Sequence, residues 1–367
     1  MTVLACKIFT SESDVAALAG DWRALHARFG RSAFSNYDVF AIWWRTVGRN
    51  YGRRSLHVVA GYIDGKLAGV LPLTVVRRQG MRVLQAAGYK GYNYCDMVAE
   101  NADHAAEIWD AAASSRRYDF ASIRDVYPDS LCYRALSFFA RRRDMTEALF
   151  LRIEWKTNEE WLGTLSSKTN RELRRRNRRL GEKGVVTYHV YREGPIPSAV
   201  IDQMIRHKIE WCRAHNEGGL FVQPGVYDYF RELVEILAAQ GRIVLSWLQC
   251  GDEAIAYNLC IDYHGVLHGY VLGYNPVWAG YSPGMLLVTR FIGWAIENGY
   301  QGLDLRQGGS EYKSRFTNVT RACAEFTFSR SFKGRMLESS FMGLRAAARA
   351  LRLREFKGGD ANVRESA

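Results

Sequence analysis

Apolar residues recur at helical spacing near the start of the chain, over 13–29, which predicts an amphipathic helix. The residues that set this spacing are Val15, Leu18, Trp22, Leu25 and Phe29. A second helical pattern, rich in aromatic residues, follows at 37–47. The period then changes to that of β-strands, and 56–73 is predicted to form two strands joined by Asp64-Gly65, a dipeptide that favours a two-residue hairpin turn.

The pattern of strand, glycine-containing turn and strand returns at 243–260, about 187 positions after its first occurrence. The segment 118–125 likewise matches 300–307 at an offset of about 182, and each copy follows a helical pattern. Similar offsets at two separate places predict duplication of one α/β unit. We therefore expect one unit over 1–150, a second over 151–332, and an appended segment over 333–367 that contains a basic helix at 336–356.

Residues 266–299 are predicted to form a strand, a loop and a helix. Ser282 followed by Pro283 is typical of a helix start, and Asn298-Gly299 is typical of a helix end. Gly284 and the preceding loop allow the backbone to approach a ligand closely, while free N–H groups and the helix dipole attract an anion. A pyrophosphate can dock on such a loop, although an ordinary strand-to-helix turn has the same pattern.

Composition narrows the class of protein. With 48% hydrophobic and 24% charged residues, the chain is too apolar for disorder and too charged for an integral membrane protein. No stretch approaches the roughly 18 apolar residues that cross a bilayer, and 1–7 lacks a signal-peptide pattern. The 7 cysteines are scattered without a C-x-x-C pair, so we expect neither disulfides nor a metal site, and a cytoplasmic location.

The net charge of the chain predicts an anionic binding partner. The formal net charge is +12, and many of the basic residues cluster at 168–183, with a further series after 332. The cluster at 168–183 has only a thin apolar stripe at Leu173 and Leu180, so we expect a largely solvent-exposed helix. Either a phosphate-rich partner or a simple solubilising role fits this helix. The tail helix has the profile of an interfacial helix, although it can equally dock on the protein's own core.

Two segments carry a family resemblance. The helix that starts with Ser282-Pro283-Gly284, the strand with Asp304 and the pattern G-x-E-Y-K-x-x-F at 309–316 resemble the GNAT superfamily. Within it they resemble the branch related to the Fem peptidyl transferases and the BioF2-like or CelD-like acyltransferases. The basic run at 167–180 is similar to a helix of that branch. The resemblance covers about 155–330 well and the first half weakly, as a degenerate second unit.

The resemblance implies an α/β (α+β) fold of tandem GNAT-like domains, each with a mixed, mostly antiparallel sheet flanked by helices. It also implies an acyl donor bound by the loop and helix start, with no permanently bound cofactor and acyl-CoA as co-substrate. The loop residues that this assigns are Trp278, Ala279, Gly280, Tyr281, Ser282, Gly284 and Met285. The sequence departs from the GNAT phosphate fingerprint, because Trp278 or Ala279 stands where Arg or Gln is usual. Fem-type relatives use aminoacyl-tRNA, which is the alternative donor.

Acyl transfer to an amine needs a base, donors that polarise the carbonyl and an acid for the leaving thiolate. The resemblance assigns the acid to Tyr312. Asp304 and Glu311 are candidates for the base or for binding of the acceptor amine, and Lys313 is a candidate for binding phosphate or the carbonyl oxygen. His268 is a second candidate base, since an imidazole exchanges protons near neutral pH. Each of these five residues also has an ordinary structural role open to it.

The interpretation that follows is an acyl-CoA-dependent N-acyltransferase that acts on a primary amine of a lipid or envelope precursor. Bacterial ceramide synthases, which N-acylate a sphingoid base, are among the proteins that the chain resembles. The enzyme alternatives are a Fem-like aminoacyl-tRNA-dependent transferase and a polysaccharide acyltransferase. The alternative from another class is an inactive RNA- or membrane-binding module. We expect an anionic membrane surface as a partner, a peripheral position on the inner membrane, and nucleic acid only with the tRNA donor.

Overall fold

The structure of the protein, a computed structural model, describes residues 4–50, 53–88, 94–307, 311–329, 331–340 and 343, apart from the side chains of 144–146, 311 and 312. The single helix predicted over 13–29 is divided into α1 (Glu12–Ala17) and α2 (Ala19–Phe29). The division lies at Leu18, whose N–H bonds to the carbonyl of Val15 and so tightens the turn. The apolar stripe is otherwise as predicted, and Trp22 is fully buried.

In the first half of the chain, one strand precedes α1 and α2. A third helix, a run of four strands, and then two alternations of helix and strand follow them. These elements are α3 (Tyr37–Trp43), β1 (Ala5–Phe9), β2 (Arg54–Ile63), β3 (Lys66–Arg78), β4 (Met81–Ala86), β5 (Val98–Ala99), α4 (Ala102–Ser114), β6 (Phe120–Val126), α5 (Leu131–Ser137) and β7 (Arg141–Arg152).

The second half contains the same kinds of element in a similar order. They are α6 (Asn158–Thr164), α7 (Ser167–Gly181), β8 (Val186–Tyr191), α8 (Ser198–Ala214), α9 (Val226–Ala239), β9 (Ile243–Cys250), β10 (Glu253–Tyr263), β11 (Val266–Tyr274), α10 (Pro283–Glu297), β12 (Gly302–Gln307), α11 (Glu311–Ser314) and β13 (Val319–Phe328).

The strands of the described residues form one sheet of 13 strands that passes through both halves. Its order is β1-β2-β3-β4-β6-β13-β7-β12-β11-β10-β9-β8, with β5 beside β3. In each half a meander of antiparallel strands leads through a crossover helix to a parallel neighbour. The parallel pair is β4 with β6 across α4 in the first half, and β11 with β12 across α10 in the second.

The two halves exchange their last strands. Strand β7 of the first half pairs with β12 of the second, while β13 of the second half pairs with β6 of the first. The exchanged strands also pair with each other, so they join the two halves at the centre of the sheet. The predicted tandem GNAT-like architecture, with a mixed and mostly antiparallel sheet, is confirmed. The division at residue 150 stays a prediction, and residue 150 itself lies within β7.

Local turn signals place several element boundaries as predicted. Asp64 and Gly65 both adopt left-handed backbone conformations between Ile63 and Lys66, which pair as the ends of the first hairpin. The second hairpin joins β9 and β10 at the equivalent place in the repeat. Asp125 and Arg306, near the ends of β6 and β12, share a positive φ of 61° and 62°. The repeat predicted from the sequence therefore extends to the irregular ends of these strands.

Three apolar clusters hold the sheet. One lies on a single face and combines helices of both halves, with Trp22 of α2, Trp43 of α3, Met204 of α8 and Phe230 of α9 among its buried members. The opposite face is covered by α4 and α5 in the first half and by α6, α7 and α10 in the second. Because the first cluster draws on both halves, the space at their junction is enclosed by residues far apart in sequence.

The basic segment predicted at 168–183 forms α7, and Leu173 and Leu180 are its buried residues, as the apolar stripe indicates. Most of the helix predicted over 336–356 lies outside the described residues. Within the described part of this region, residues 332–340 are helical. Within the part of the chain that the structure describes, no helix is both long and apolar enough to cross a membrane. All 7 cysteines are free thiols.

Candidate functional site

Asp304 on β12 is the centre of a buried polar cluster at the junction of the two halves. Tyr94 and Tyr127 of the first half each donate a hydrogen bond of 3.0 Å to its carboxylate, one to Oδ1 and one to Oδ2. The N–H of Arg306 donates a third hydrogen bond, at 2.8 Å, to Oδ1. His268 on β11 lies beside the same carboxylate, with Nδ1 3.5 Å from Oδ2. The sequence predicted His268 and Asp304 as candidates, and the structure brings them together.

The electrostatics of the cluster favour an ionised Asp304. Burial acts to raise the pKa of this carboxyl, but the neighbouring His268, the N–H of Arg306 and the hydroxyl of Tyr94 hold the pKa below its usual value. Burial and the Asp304 charge raise the pKa values of Tyr94 and Tyr127, so both phenols stay protonated and remain donors. With four neighbours at its two oxygens, Asp304 has little capacity left to accept a proton, which suits a residue that orients His268.

Aromatic rings enclose this cluster. The rings of Tyr94 and Tyr127 are 4.0 Å apart between centroids. Phe34 makes edge contacts with Tyr94 and His268, at centroid distances of 6.2 and 6.3 Å. The guanidinium of Arg306 lies 5.8 Å from the Phe34 ring centroid and donates hydrogen bonds of 3.2 Å to the carbonyls of Gly269 and Tyr270. These contacts fix the position of the Arg306 side chain between β11 and β12.

Strands β11 and β12 separate immediately beyond the cluster. Their parallel pairing covers three residue pairs and ends at His268 and Asp304, although β11 continues to Tyr274. A bulge at Tyr270 helps to redirect β11, because Gly269 and Val271 pair with consecutive residues of β10. Beyond the last pair, the Arg306 guanidinium bonds to the carbonyls of Gly269 and Tyr270 in place of a backbone partner from β12.

One cavity, which we call the loop cavity, lies between the end of β11 and the first turn of α10. Its volume is about 400 Å³. Its lining comes from α8, β11, the loop before α10, the first turn of α10, and α11. The residues are Lys208, Trp211, Leu272, Gly273, Tyr274, Ala279, Ser282, Gly284, Met285 and Lys313. A smaller adjoining cavity, of about 260 Å³, shares Lys208, Leu272 and Lys313 and extends to Arg306. Together they form a path from the surface loop to the buried cluster.

Two lysines give the loop cavity a positive character. Burial, together with Arg306 and Lys208, lowers the pKa of Lys313 to about 8. Burial also lowers the pKa of Lys208, whose Nζ lies 4.3 Å from the Trp211 ring centroid. Lys313 donates a hydrogen bond of 3.1 Å to the carbonyl of Gln307. An anionic ligand would stabilise the charged form of both side chains, so the cavity suits a phosphate-bearing molecule.

The predicted binding loop is divided in two by the structure. Ala279, Ser282, Gly284 and Met285 line the loop cavity. The other three do not: the Trp278 indole donates to Glu253, Tyr281 lies under the guanidinium of Arg179, and Gly280 is exposed. The residues 276–281 coil into a short 3₁₀ helix, which turns these side chains away.

The start of α10 is at the predicted place, but its cap differs from the sequence expectation. Ser282 is the N-cap and Pro283 opens the helix. The Ser282 side chain caps no helical N–H, because its backbone is left-handed and its hydroxyl accepts a hydrogen bond from Arg176 on α7. In the first turn of α10 the N–H groups of Met285 and Leu286 bond to the carbonyl of Ser282, and Pro283 has no N–H, so the Gly284 N–H is the group that faces a ligand there. The basic helix α7 reaches the loop directly. The predicted helix end at Asn298-Gly299 is confirmed.

The remaining predicted residues, Glu311, Tyr312 and Lys313, are consecutive in α11. Lys313 lines the loop cavity, as described above. Glu311 and Tyr312 belong to α11, but their side chains lie outside what the structure describes. The sequence missed Tyr94, Tyr127 and Arg306. A signal for Tyr127 existed, since it directly follows the strand of the first half that matches the Asp304 strand in the repeat.

A second cavity, which we call the junction cavity, lies on the other side of the cluster. Its volume is about 380 Å³, and His268, Asp304, Tyr94 and Tyr127 form part of its lining. The strands of the first half leave no comparable space, because the cavity between β4 and β6 has a volume of only about 10 Å³ and is bordered by Tyr94 and Cys95. Among the described residues, the open strand separation thus belongs to the second half.

Comparison with known proteins agrees with this architecture. The family model described as acetyltransferase (GNAT) domain matches residues 167–314. FemX aligns with a TM-score of 0.57 at 11% identity, over 85% of this chain and 96% of that one. No curated protein matched the chain.

Two further solved structures have similar folds. A protein assigned as the C-terminal domain of a lysylphosphatidylglycerol synthetase from Agrobacterium fabrum aligns with a TM-score of 0.55 at 14% identity, over 90% of this chain and 97% of that one. L-PGS from Bacillus licheniformis aligns with a TM-score of 0.55 at 13% identity, over 90% and 96%. The predicted resemblance to the Fem-related GNAT branch is thereby confirmed at the level of the fold.

Proposed function

We propose that the protein is an N-acyltransferase that moves an acyl group from acyl-CoA to a primary amine by direct attack. The observation that carries this proposal is the end of the β11–β12 pairing at His268 and Asp304, next to the smaller cavity at Gly269 and Arg306 that adjoins the loop cavity. A thioester bound between the separated strands would have its carbonyl next to a histidine and carboxylate pair. Proximity of this kind supplies a large part of the catalysis of acyl transfer.

The donor is assigned to the loop cavity. The Gly284 N–H and the helix dipole at the start of α10, together with the charges of Lys208 and Lys313, support binding of the CoA pyrophosphate there. Gly284 lines the cavity, and the absence of a side chain lets the phosphate approach the helix start. The exposed arginines of α7, beside Ser282, supply further positive charge for the 3′-phosphate.

The chemistry proceeds by addition and elimination. His268, oriented by Asp304, accepts the proton as the amine nitrogen bonds to the thioester carbonyl carbon. The resulting tetrahedral intermediate breaks its carbon–sulfur bond, which releases the amide and the CoA thiolate. Tyr312 is proposed to protonate this thiolate, and Lys313 to stabilise the negative charge on the oxygen. Glu311 is retained as a candidate for binding the acceptor amine.

Aminoacyl-tRNA is the second candidate donor, and the exposed arginines of α7 favour it. Arg171, Arg174, Arg175 and Arg178 face solvent on the helix that contacts the donor loop. A row of exposed arginines suits a nucleic acid backbone as well as it suits a single nucleotide. The activity would remain acyl transfer to an amine, with an ester as the bond that breaks.

The acceptor is proposed to be an amine of a lipid or an envelope precursor, with a sphingoid base as one member of this class. The fold similarity to a protein assigned as a lysylphosphatidylglycerol synthetase supports a lipid acceptor. We also propose a cytoplasmic protein that associates with the anionic inner leaflet through α7 and the tail. The units 1–150 and 151–332 are proposed as the two domains, with exchanged last strands.

Calorimetric titration of the purified protein with CoA tests the donor assignment. We expect binding by the wild type, and a loss of affinity of at least about ten-fold in Gly284→Val. A Cβ at Gly284 would lie 3.7 Å from Tyr274, an ordinary contact, so the variant should fold normally. Gly163→Val on α6, where a Cβ meets no atom within 4 Å, is the matched control. Absence of CoA binding, alongside tight binding of aminoacyl-tRNA, would overturn the acyl-CoA assignment in favour of the second donor.

A further inference from the structure

The junction cavity has a division of charge between its mouth and its base. Arg31, His264 and Asp129 lie at its exposed edge, and Arg321 is half-buried beside them. Asp304 and Asp96 lie at its buried end. Cations therefore dominate where the cavity opens, and carboxylates dominate where it ends. The volume of about 380 Å³ is within the range of sites for small molecules or headgroups.

Both arginines line the cavity without a salt bridge to a described residue. Within the described part of the chain, neither Arg31 nor Arg321 forms a side-chain hydrogen bond or a salt bridge. The Arg321 guanidinium stacks on the Phe150 ring, 4.3 Å from its centroid, and Phe150 also lines the cavity. A guanidinium that is fixed by stacking and keeps its N–H donors free is well suited to a bidentate anion such as phosphate or carboxylate.

Asp96 at the buried end is the counterpart of these arginines. Its Oδ1 accepts the N–H groups of Met97 and Cys132, at 2.9 and 3.5 Å, and no described side chain donates a hydrogen bond to it. Burial raises the pKa of this carboxyl to about 6, although Arg31 and the backbone N–H groups act against the rise. A cation beside Asp96 would offset the cost of its burial. Asp304, in contrast, already has hydrogen-bond donors at both oxygens.

We propose that the junction cavity binds the acceptor as an amine that also carries a phosphate or carboxylate group, with the ammonium at Asp96 and the anion between Arg31 and Arg321. The amine would then lie in the cavity that His268 lines, on the opposite side of the cluster from the loop cavity. The role of acceptor rests on the proposed transferase function, whereas the binding of such a molecule does not. Among lipid and envelope amines, the cavity thus favours those with an adjacent anion over a simple amino alcohol.

Titration with small probes tests this assignment without any turnover. The probes are O-phosphoethanolamine, 4-aminobutyrate and ethanolamine, which share an amine and differ in the anion. We expect at least one of the first two to bind about ten-fold more tightly than ethanolamine, as one charge-assisted hydrogen bond to an anion would give. The better of the two probes identifies the anion as phosphate or carboxylate.

Variants assign the two ends of the cavity. Arg321→Gln and Arg31→Gln should weaken the anion-bearing probe about ten-fold. Arg321→Gln should leave ethanolamine binding unchanged, and for Arg31→Gln the comparison is made at pH 8, where Asp96 is ionised with or without the Arg31 charge. Asp96→Asn, which keeps an acceptor for the backbone N–H groups, should weaken all three amines. Arg213→Gln, at an exposed position on α8, is the control and should change nothing. The proposal would be overturned if ethanolamine bound as tightly as both O-phosphoethanolamine and 4-aminobutyrate. It would also be overturned if the two arginine variants bound the probes as the control does.

The same variants separate this inference from the donor assignment. CoA binding in the loop cavity should be the same in Arg321→Gln as in the wild type, because the two cavities have different linings. A wild type that binds O-phosphoethanolamine or 4-aminobutyrate but not CoA would contradict the acyl-CoA donor and leave the junction cavity assignment intact.

Discussion

Tyr127, from the first half of the chain, donates a hydrogen bond of 3.0 Å to Asp304, from the second half. The two residues are 177 positions apart in sequence. Together with the matching hydrogen bond from Tyr94, this contact means that the first half completes the site of the second. Although its own strand separation is filled, the first half retains a role as the support of Asp304 and, through it, of His268.

Removal of the Tyr127 hydroxyl should therefore destabilise the fold. In Tyr127→Phe the buried Asp304 carboxylate loses one donor, and we expect the free energy of unfolding to fall by about 1–3 kcal/mol. Urea denaturation followed by circular dichroism measures this change. The control is Tyr133→Phe, since the Tyr133 ring packs on Phe326 and its hydroxyl has no hydrogen bond to a described residue. Equal stability of the two variants would show that the contact with Asp304 contributes nothing.

Donor binding should depend on pH through Lys313. Its pKa is lowered to about 8, so the side chain is mostly charged at pH 7 and mostly neutral above pH 9. If its charge attracts the donor phosphates, CoA affinity should decrease as the pH rises through this range. Bound anion raises the pKa of the lysine, so the decrease should be centred above pH 8.

The Lys313→Arg variant distinguishes this cause from others, because arginine stays charged at all of these pH values. We expect its CoA affinity to be nearly constant between pH 7 and 9.5, apart from the smaller contribution of Lys208. Calorimetric titrations at four pH values are sufficient. A wild-type affinity that does not change with pH would mean that Lys313 is not a donor-binding residue.

The exposed arginines of α7 should hold the protein on an anionic leaflet. Each basic residue near such a surface contributes about 1 kcal/mol, so the triple variant with Arg174, Arg175 and Arg178 changed to Gln should bind vesicles about 100-fold more weakly. Cosedimentation should increase with the anionic lipid fraction and decrease with salt. If the wild-type protein did not cosediment with anionic vesicles at low salt, a soluble acceptor would be favoured instead.

The sequence predicted those parts of the fold that depend on local chemistry. The left-handed turn at Asp64-Gly65 and the ends of α10 at Pro283 and Asn298 are each decided by a few neighbouring residues. The repeat was visible because its two copies keep their strand spacing. The exchange of β7 and β13 was not predictable in this way, since strand pairing over such distances leaves no local pattern.

Only those residues of the candidate site that come from the second half of the chain were predictable from the sequence. His268, Asp304 and Lys313 were found because they lie on or next to the strands that carry the family resemblance. Tyr94 and Tyr127 were missed because their role depends on how the halves meet. The division of the loop was missed for a related reason: the 3₁₀ turn at 276–281 directs Trp278 toward Glu253, a contact that no motif encodes.

The proposed acyl transfer is tested most directly with isotopically labelled acyl-CoAs. The purified protein is incubated with a set of chain lengths and with a lipid and metabolite extract, and products are identified by mass spectrometry. The account predicts a labelled N-acyl amide and an equal amount of free CoA, with the rate reduced about 10²- to 10⁴-fold in His268→Gln because the base is lost. Absence of any labelled amide from acyl-CoA, together with a labelled product from aminoacyl-tRNA, would contradict it.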